Sequence, residues 1–458
     1  MRGPAKNTLW RLRAYLDKSL FPVAPAEAGR FKSWEAGLVI VSVVALGAVL
    51  QLFRLGPSTA VDSLWAEDGP VFLGGALTHG FFDSLSNPYA EYLVVMPRLI
   101  GEVGAAVPLH DAPLAMNLAT VAVIALCGVA VWFASAGHIH SPYLRALLAA
   151  LMVLCPVSTI EAVATPTNIA WYMTFAVFWL LLWRPRTTWG ACLGGLLVFV
   201  TGLSTPGTLF FAPIVLLRAV AARGRRDAIV VGSFALAAAI QLVAMAVNTE
   251  EIAGDTWSGN ILTAYLQRVA DGSVLGMNLA GETWVDWGWP FLVAIVAALV
   301  VYLVAMLLRS NSNRLVAAIA VVTSIAMFLV SSYTRAVGDV MVWHDGVYND
   351  FGGRYAIVPT LLLASAVLAL LDAHYRSSPR ARGPVPILAI GIAAVLLTSL
   401  VTSFDVRRTF GREGPSWDDA VSTAGAKCEA KALAEAPVSI APAGWAVSVS
   451  CEELTSAD

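Results

Sequence analysis

The chain has 458 residues, 58% of them apolar and 13% charged, with a formal net charge of -2 at pH 7. A soluble domain carries about 25% charged residues, so a water-facing surface of this size is excluded. The near-neutral total says nothing about partners, whereas the placement of charge along the chain says a good deal; no nucleic-acid partner is expected.

The chain opens on a basic stretch. Over residues 8–21, Leu9, Leu12, Leu16 and Leu20 recur at helical spacing with Arg11, Arg13 and Lys18 among them. This predicts a helix lying on the membrane surface. The first apolar run begins only near Trp34, behind that arm, which fits a retained anchor better than a cleaved leader. From there the apolar runs predict about eleven spans, at 34–54, 114–136, 142–160, 165–183, 188–203, 207–222, 228–247, 288–308, 315–333, 355–372 and 385–403. The runs at 188–203 and 207–222 are short and meet at the turn Ser204-Thr205-Pro206-Gly207. They form either two spans or one broken pair that does not fully cross. No internal repeat is visible, so an inverted-repeat transporter has no support.

Loops facing the cytoplasm carry the Lys and Arg. With the N-terminus inside, every short loop assigned inside is basic, through Arg145, Arg184 and Arg186, the cluster Arg218 to Arg226, Arg309 and Arg314, and Arg376 to Arg382. The C-terminus then lies outside. Residues 92–109 are apolar enough to be a further span but hold Pro97, Arg98 and Glu102. Crossing there would put the basic loops outside, so an interfacial helix is expected, with Arg98 and Glu102 able to pair across one turn. The outside segments are 55–113, 248–287, 334–354 and 404–458. The expected division is a cytoplasmic arm (1–33), an all-α transmembrane domain (34–403) and an extracytoplasmic tail (404–458).

Cys127, Cys155 and Cys192 lie in or beside apolar runs and are expected as buried thiols. Cys428 and Cys451 share the tail and, in an oxidising space, are expected to form a disulfide. Trp417 and Trp445 are the expected core of a small stapled unit.

Chemistry is sought in the outside segments. The first carries Asp62, Glu67 and Asp68 within Val61-Asp62-Ser63-Leu64-Trp65-Ala66-Glu67-Asp68-Gly69-Pro70. Adjacent carboxylates at a membrane surface can act as a general base, one taking a proton while the other holds an incoming hydroxyl. Alternatively Asp68 caps a short helix starting at Gly69-Pro70. The residues alone leave both readings open.

A basic N-terminus, one span, an acidic outer loop, interfacial helices and many further spans together resemble the GT-C superfamily of integral-membrane glycosyltransferases. Glu67-Asp68 stand where that superfamily carries its acidic catalytic motif, in the order Glu-Asp where many members have Asp-Glu. Residues 72–82 and 92–107 look like its juxtamembrane helices. The resemblance implies transfer of a sugar from a polyprenyl-phosphate donor to an extracytoplasmic glycan, lipid or protein acceptor. The composition, rich in Ala, Val, Gly and Arg, is that of a GC-rich genome such as an actinobacterium's. A transporter or flippase of lipid-linked saccharides, or a polymerase or ligase of them, is the alternative.

Such a site needs cations for the lipid phosphate and groups that grip the sugar. Arg354, at the mouth of the next span, and Arg335 are candidates for the phosphate, against interfacial snorkelling as the plainer role. Trp343 and Tyr348 are candidates for stacking on sugar, against service in the aromatic belt. His344, Arg98, Glu161 and Asn168 complete the substrate-binding candidates; Glu161 and Asn168 also fit a plain polar loop before the helix opened by Pro166. Trp284, Trp287 and Trp289 read as belt anchors. No zinc spacing, P-loop or dinucleotide fingerprint is present, so no cofactor is required. A divalent ion such as Mg or Mn on Asp62, Glu67 and Asp68 is the one metal the residues allow.

Overall fold

The computed structural model describes residues 4–24, 33–248, 260–310, 312–335, 341–344, 346–349, 351–377, 394, 397–404, 406, 414–431 and 433–456. The molecule is a helical membrane bundle. Among the described residues, six helices are long and apolar enough to cross: Ser33–Leu55, Ala112–Ala134, Arg225–Val247, Met277–Arg309, Arg314–Thr334 and Arg354–Ser377. Arg354–Ser377 is the innermost, sheathed by neighbours along nearly its whole length. Of the expected span 385–403, most lies outside the described residues.

Four expected spans form shorter helices. The clearest departure is 142–160, which ends at Val153. Twelve residues rise about 18 Å, well short of a hydrocarbon core of about 30 Å. Pro156 accounts for the break, since it lacks an N–H and disfavours helix at Cys155. Residues 155–165 then run as irregular backbone that is entirely buried, up to the helical turn Pro166–Asn168. Non-helical backbone at such depth must find partners inside the protein. Arg54, fully buried at the end of the first span, donates to the carbonyls of Val153 and Cys155 at 3.1 and 3.0 Å. The Met277 amide donates to Pro156, and the Asn168 side chain to the Glu161 carbonyl. The pair Thr188–Gly202 and Ala212–Ala221 is likewise too short to cross fully, as the broken-pair reading allowed.

The amphipathic arm is a helix, Pro4–Ser19, with Leu16, Leu20 and Phe21 buried. It packs among the basic loops. Asp17 pairs with Arg184 at 2.6 Å and with Arg223, and Arg13 donates to Val220. His138 meets Leu20 and Asn313, while Asp372 joins Arg376 to the His140 and Ser141 amides. The arm and loops expected on one side therefore share one face. The described residues of 62–105, 161–168, 341–354 and 414–456 share the other.

Two expectations need correcting. Cys127 and Cys155 are buried, but Cys192 is exposed; a helix in lipid need not hide a thiol under protein. In the tail, helix Trp417–Lys431 is followed by an antiparallel hairpin, Glu435–Ile440 with Trp445–Ser450, and a short closing helix, Cys451–Ser456. The alternating burial of Ala436, Val438, Ile440, Val447 and Val449 builds its apolar side, as a half-buried hairpin requires. Its disulfide, Cys428–Cys451, is formed, and Trp417 is core while Trp445 is only partly covered. Finally, Trp284 is not a belt residue: its indole is buried and donates to the His344 carbonyl. Trp287 and Trp289 are exposed, as belt anchors are.

Candidate functional site

The acid pair lies on a tight segment, one helical turn Ala66–Asp68 followed by a π-helical turn Gly69–Leu73. Asp68 does not cap the helix that follows it. Its Oδ1 instead accepts from the Thr167 amide at 2.9 Å and from the Thr167 hydroxyl at 2.6 Å. The carboxylate is almost wholly buried, at the start of the helix expected at 165–183. Glu67 is half-buried and accepts from the Tyr89 hydroxyl at 3.2 Å. Burial, then the neighbouring Glu67 charge, raises the Tyr89 phenol above its ordinary value, so it stays a donor at any working pH. Tyr92, in the same turn, is raised by burial as well.

Arg354 and Glu161 meet across 193 positions of sequence. The Arg354 amide donates to Glu161 Oε1 at 3.1 Å and its guanidinium lies 3.7 Å from Oε2. Gly353 makes the approach possible: a Cβ there would come within 2.5 Å of Thr159. The guanidinium also sits over the Tyr355 ring, and Glu67 lies within its electrostatic reach. Trp171 meets Tyr355 edge-on at 5.3 Å. Arg335 stands over the Tyr92 ring and donates to the Ala90 carbonyl. The structure thus gathers Glu67, Asp68, Glu161, Asn168, Arg354 and Arg335, with Tyr89, Thr167 and Tyr355, at the N-terminal end of the innermost helix.

Strain is concentrated here. Among the described residues, the positive-φ positions other than glycine are Ala66, Ala90, Glu91, Ala164 and Asn313. All but Asn313 lie in the three segments that carry Glu67-Asp68, Tyr89 and Tyr92, and Glu161 with Asn168. Left-handed backbone at a residue with a Cβ costs about 1 kcal/mol or more and persists where the surroundings over-determine it.

Other candidates are placed elsewhere. Trp343 is buried: its amide and carbonyl pair with the Gln267 side chain, its indole donates to Asn349, and Arg268 covers the ring. It cannot stack on a sugar in this arrangement. Tyr348 packs edge-on against Trp343 and lies over Gly281. His344 is exposed, with its carbonyl held by Trp284. Arg98 is buried beneath the π-helical turn and donates to Val71, with Glu102 as its nearest opposing charge. Asp62 accepts from the Asp418 amide of the tail helix. Among the described residues no three His, Cys, Asp or Glu converge as metal ligands, and Asp62 is turned toward the tail. Asp345 and Asp350 lie outside the described residues.

Sequence reasoning missed Tyr89, in the short run Asn87-Pro88-Tyr89, and the role of Thr167. It also missed Arg268 and Gln267, which tie 341–349 to the π-helical turn Leu266–Asp271. In that same turn Asp271 is buried outside the spans, and burial pushes its carboxyl up to about 7. Below about pH 4 the group is protonated folded or unfolded. Between there and about 7 the unfolded chain has lost a proton that the folded chain keeps, so stability falls as pH rises. Asp271→Asn should therefore raise the unfolding temperature at pH 8, by at most about 4 kcal/mol of stability, and leave it unchanged at pH 4. An equal shift at both pH values in a detergent melting experiment would refute this.

No protein-family model matches the chain, and no curated protein matches it. Among solved structures it is similar to the crystal structure of the Archaeoglobus fulgidus oligosaccharyltransferase in complex with zinc and sulfate. The TM-score is 0.39 and the identity 12%, over 84% of this chain and 55% of that one. This chain thus spans little more than half of that protein's length, and no residue role is carried across.

Proposed function

We propose that this protein transfers a sugar from a polyprenyl-phosphate donor to a glycan, lipid or protein acceptor on the membrane face opposite its basic loops. The observation that carries the reading is that Arg354, paired with Glu161 at the membrane mouth, has the partly open carboxylate Glu67 within its electrostatic reach. The two groups match the two demands of the reaction, a proton acceptor and a cation for the phosphate leaving group.

The acceptor hydroxyl oxygen attacks the anomeric carbon as its proton passes to Glu67. The bond from that carbon to the phosphate oxygen breaks, and the polyprenyl phosphate leaves against Arg354 and Arg335. Buried Asp68, held by Thr167, fixes the loop and orients Glu67. Tyr89 keeps the Glu67 carboxylate aimed, and the partly exposed Trp171, packed on the buried Tyr355, is the sugar-facing surface.

The test is reconstitution in liposomes with a panel of polyprenyl-phosphate sugars and a mixed pool of envelope glycans and lipids. A new glycosidic bond with stoichiometric release of polyprenyl phosphate is expected. Movement of labelled lipid across the bilayer with no new bond, from every donor, would replace transfer by flipping.

A further inference from the structure

The tail packs on the acid loop itself. Ala66, left-handed at φ 46, donates its amide to the Ala441 carbonyl at 2.6 Å, and Trp65 and Ala441 form a parallel bridge. Ala441 follows the first strand of the hairpin directly. Gly69, one residue past Asp68, lies so close under the hairpin that a Cβ there would sit 2.4 Å from Ile440 and 2.6 Å from Val447. On the flank, Asp62 accepts from the Asp418 amide, His110 meets the Asp418 carboxylate at 2.7 Å, and the Trp417 indole donates to Leu109. The disulfide Cys428–Cys451 joins the helix making those flank contacts to the open end of this hairpin, whose turn end holds Ala66.

These contacts fall on both sides of Glu67-Asp68. A left-handed alanine is unfavourable by itself, and the tail carbonyl is the partner its amide has in this conformation. We infer that the disulfide-stapled tail is a positioning clamp: it holds Ala66 in the conformation that aims Glu67 and Asp68, and so sets the rate of the chemical step. The inference rests on the transfer reaction proposed above for its kinetic part, while its structural part does not.

The experiment uses the full chain in detergent or liposomes. Gly69→Ala introduces the Cβ that collides with the hairpin, and Gly69→Ala with Ile440→Val and Val447→Ala removes the atoms it meets. Hydrogen exchange followed by mass spectrometry reads the 65–69 amides without any substrate. They should exchange roughly tenfold faster in Gly69→Ala and return toward the parent rate in the triple variant. In the transfer assay kcat should fall by about 10²-fold, the scale of a small misplacement, with the donor KM within about twofold, and the triple variant should recover it. Cys428→Ser with Cys451→Ser gives a second route: helix and hairpin uncouple, so exchange at 65–69 rises and kcat falls without a matching loss of folded protein. Unchanged exchange at 65–69 in both variants overturns the clamp, as does faster exchange with an unchanged kcat. If the parent protein transfers no sugar from any donor, the proposed reaction fails by itself, and the exchange measurement still decides whether the tail holds the loop.

Discussion

Glu67→Gln should abolish measurable sugar transfer, lowering kcat by about 10² to 10⁴, while the protein inserts and melts like the parent. General-base removal has this magnitude because the acceptor proton has no other destination as the bond forms. Glu67 is half-buried and takes a hydrogen bond from Tyr89, which an amide oxygen in the same space can also accept, so folding should survive. Asp68→Asn is expected to lose activity for a different reason. Its Oδ1 takes both the amide and the hydroxyl of Thr167, and a neutral amide weakens charge-assisted bonds that tie the acid loop to the opening of the next helix. The two variants should therefore differ in exchange at 165–168, which loosens in Asp68→Asn and not in Glu67→Gln. Full transfer by both variants, assayed with the donor that serves the parent protein, would remove the acid pair from the mechanism.

Arg354→Gln should raise the donor KM and cut kcat/KM by about 10²-fold or more, the scale of losing a charged contact to phosphate. It also removes the guanidinium paired with Glu161, which is buried. Removing one partner of such a pair destabilises by about 3–5 kcal/mol, whereas removing both can be nearly neutral. Arg354→Gln with Glu161→Gln separates the two effects: thermal stability should recover and transfer should not. Arg354→Lys should rescue only partly, because an ammonium lacks the planar fork that meets two phosphate oxygens at once. Recovery of transfer in the double variant would show Arg354 to be structural, serving only to neutralise Glu161.

How far the site could be seen in advance varies residue by residue. Glu67-Asp68 stood out because two acids beside an apolar span are unusual in composition. Arg354 stood out because a cation at a helix mouth sits at phosphate height. Tyr89 carried no such mark, since a tyrosine in an Asn-Pro-Tyr turn looks like any other turn residue until Glu67 is placed against it. Trp343 misled for the opposite reason. An aromatic in an outer loop has the composition of a sugar platform, but Gln267 and Arg268, remote in sequence, bury it. Glu161 lay just past the end of one expected span, and Asn168 within the start of the next. The irregular buried segment that carries them exists because Pro156 stops a helix and Arg54 takes up its freed carbonyls.

Apolar runs, basic loops and the tail cysteine pair are local features, and they determined by themselves that this chain is a helical membrane protein, that its basic loops share a face, and that its tail is stapled. Which helices stop short, which acid meets which arginine, and how the tail lies over Ala66 were decided only in three dimensions. Those contacts join residues such as Asp68 with Thr167, Glu161 with Arg354 and Ala66 with Ala441. Each depends on close backbone approach at a glycine or on a strained turn held from outside, and neither leaves a periodic trace in the sequence from which it arises.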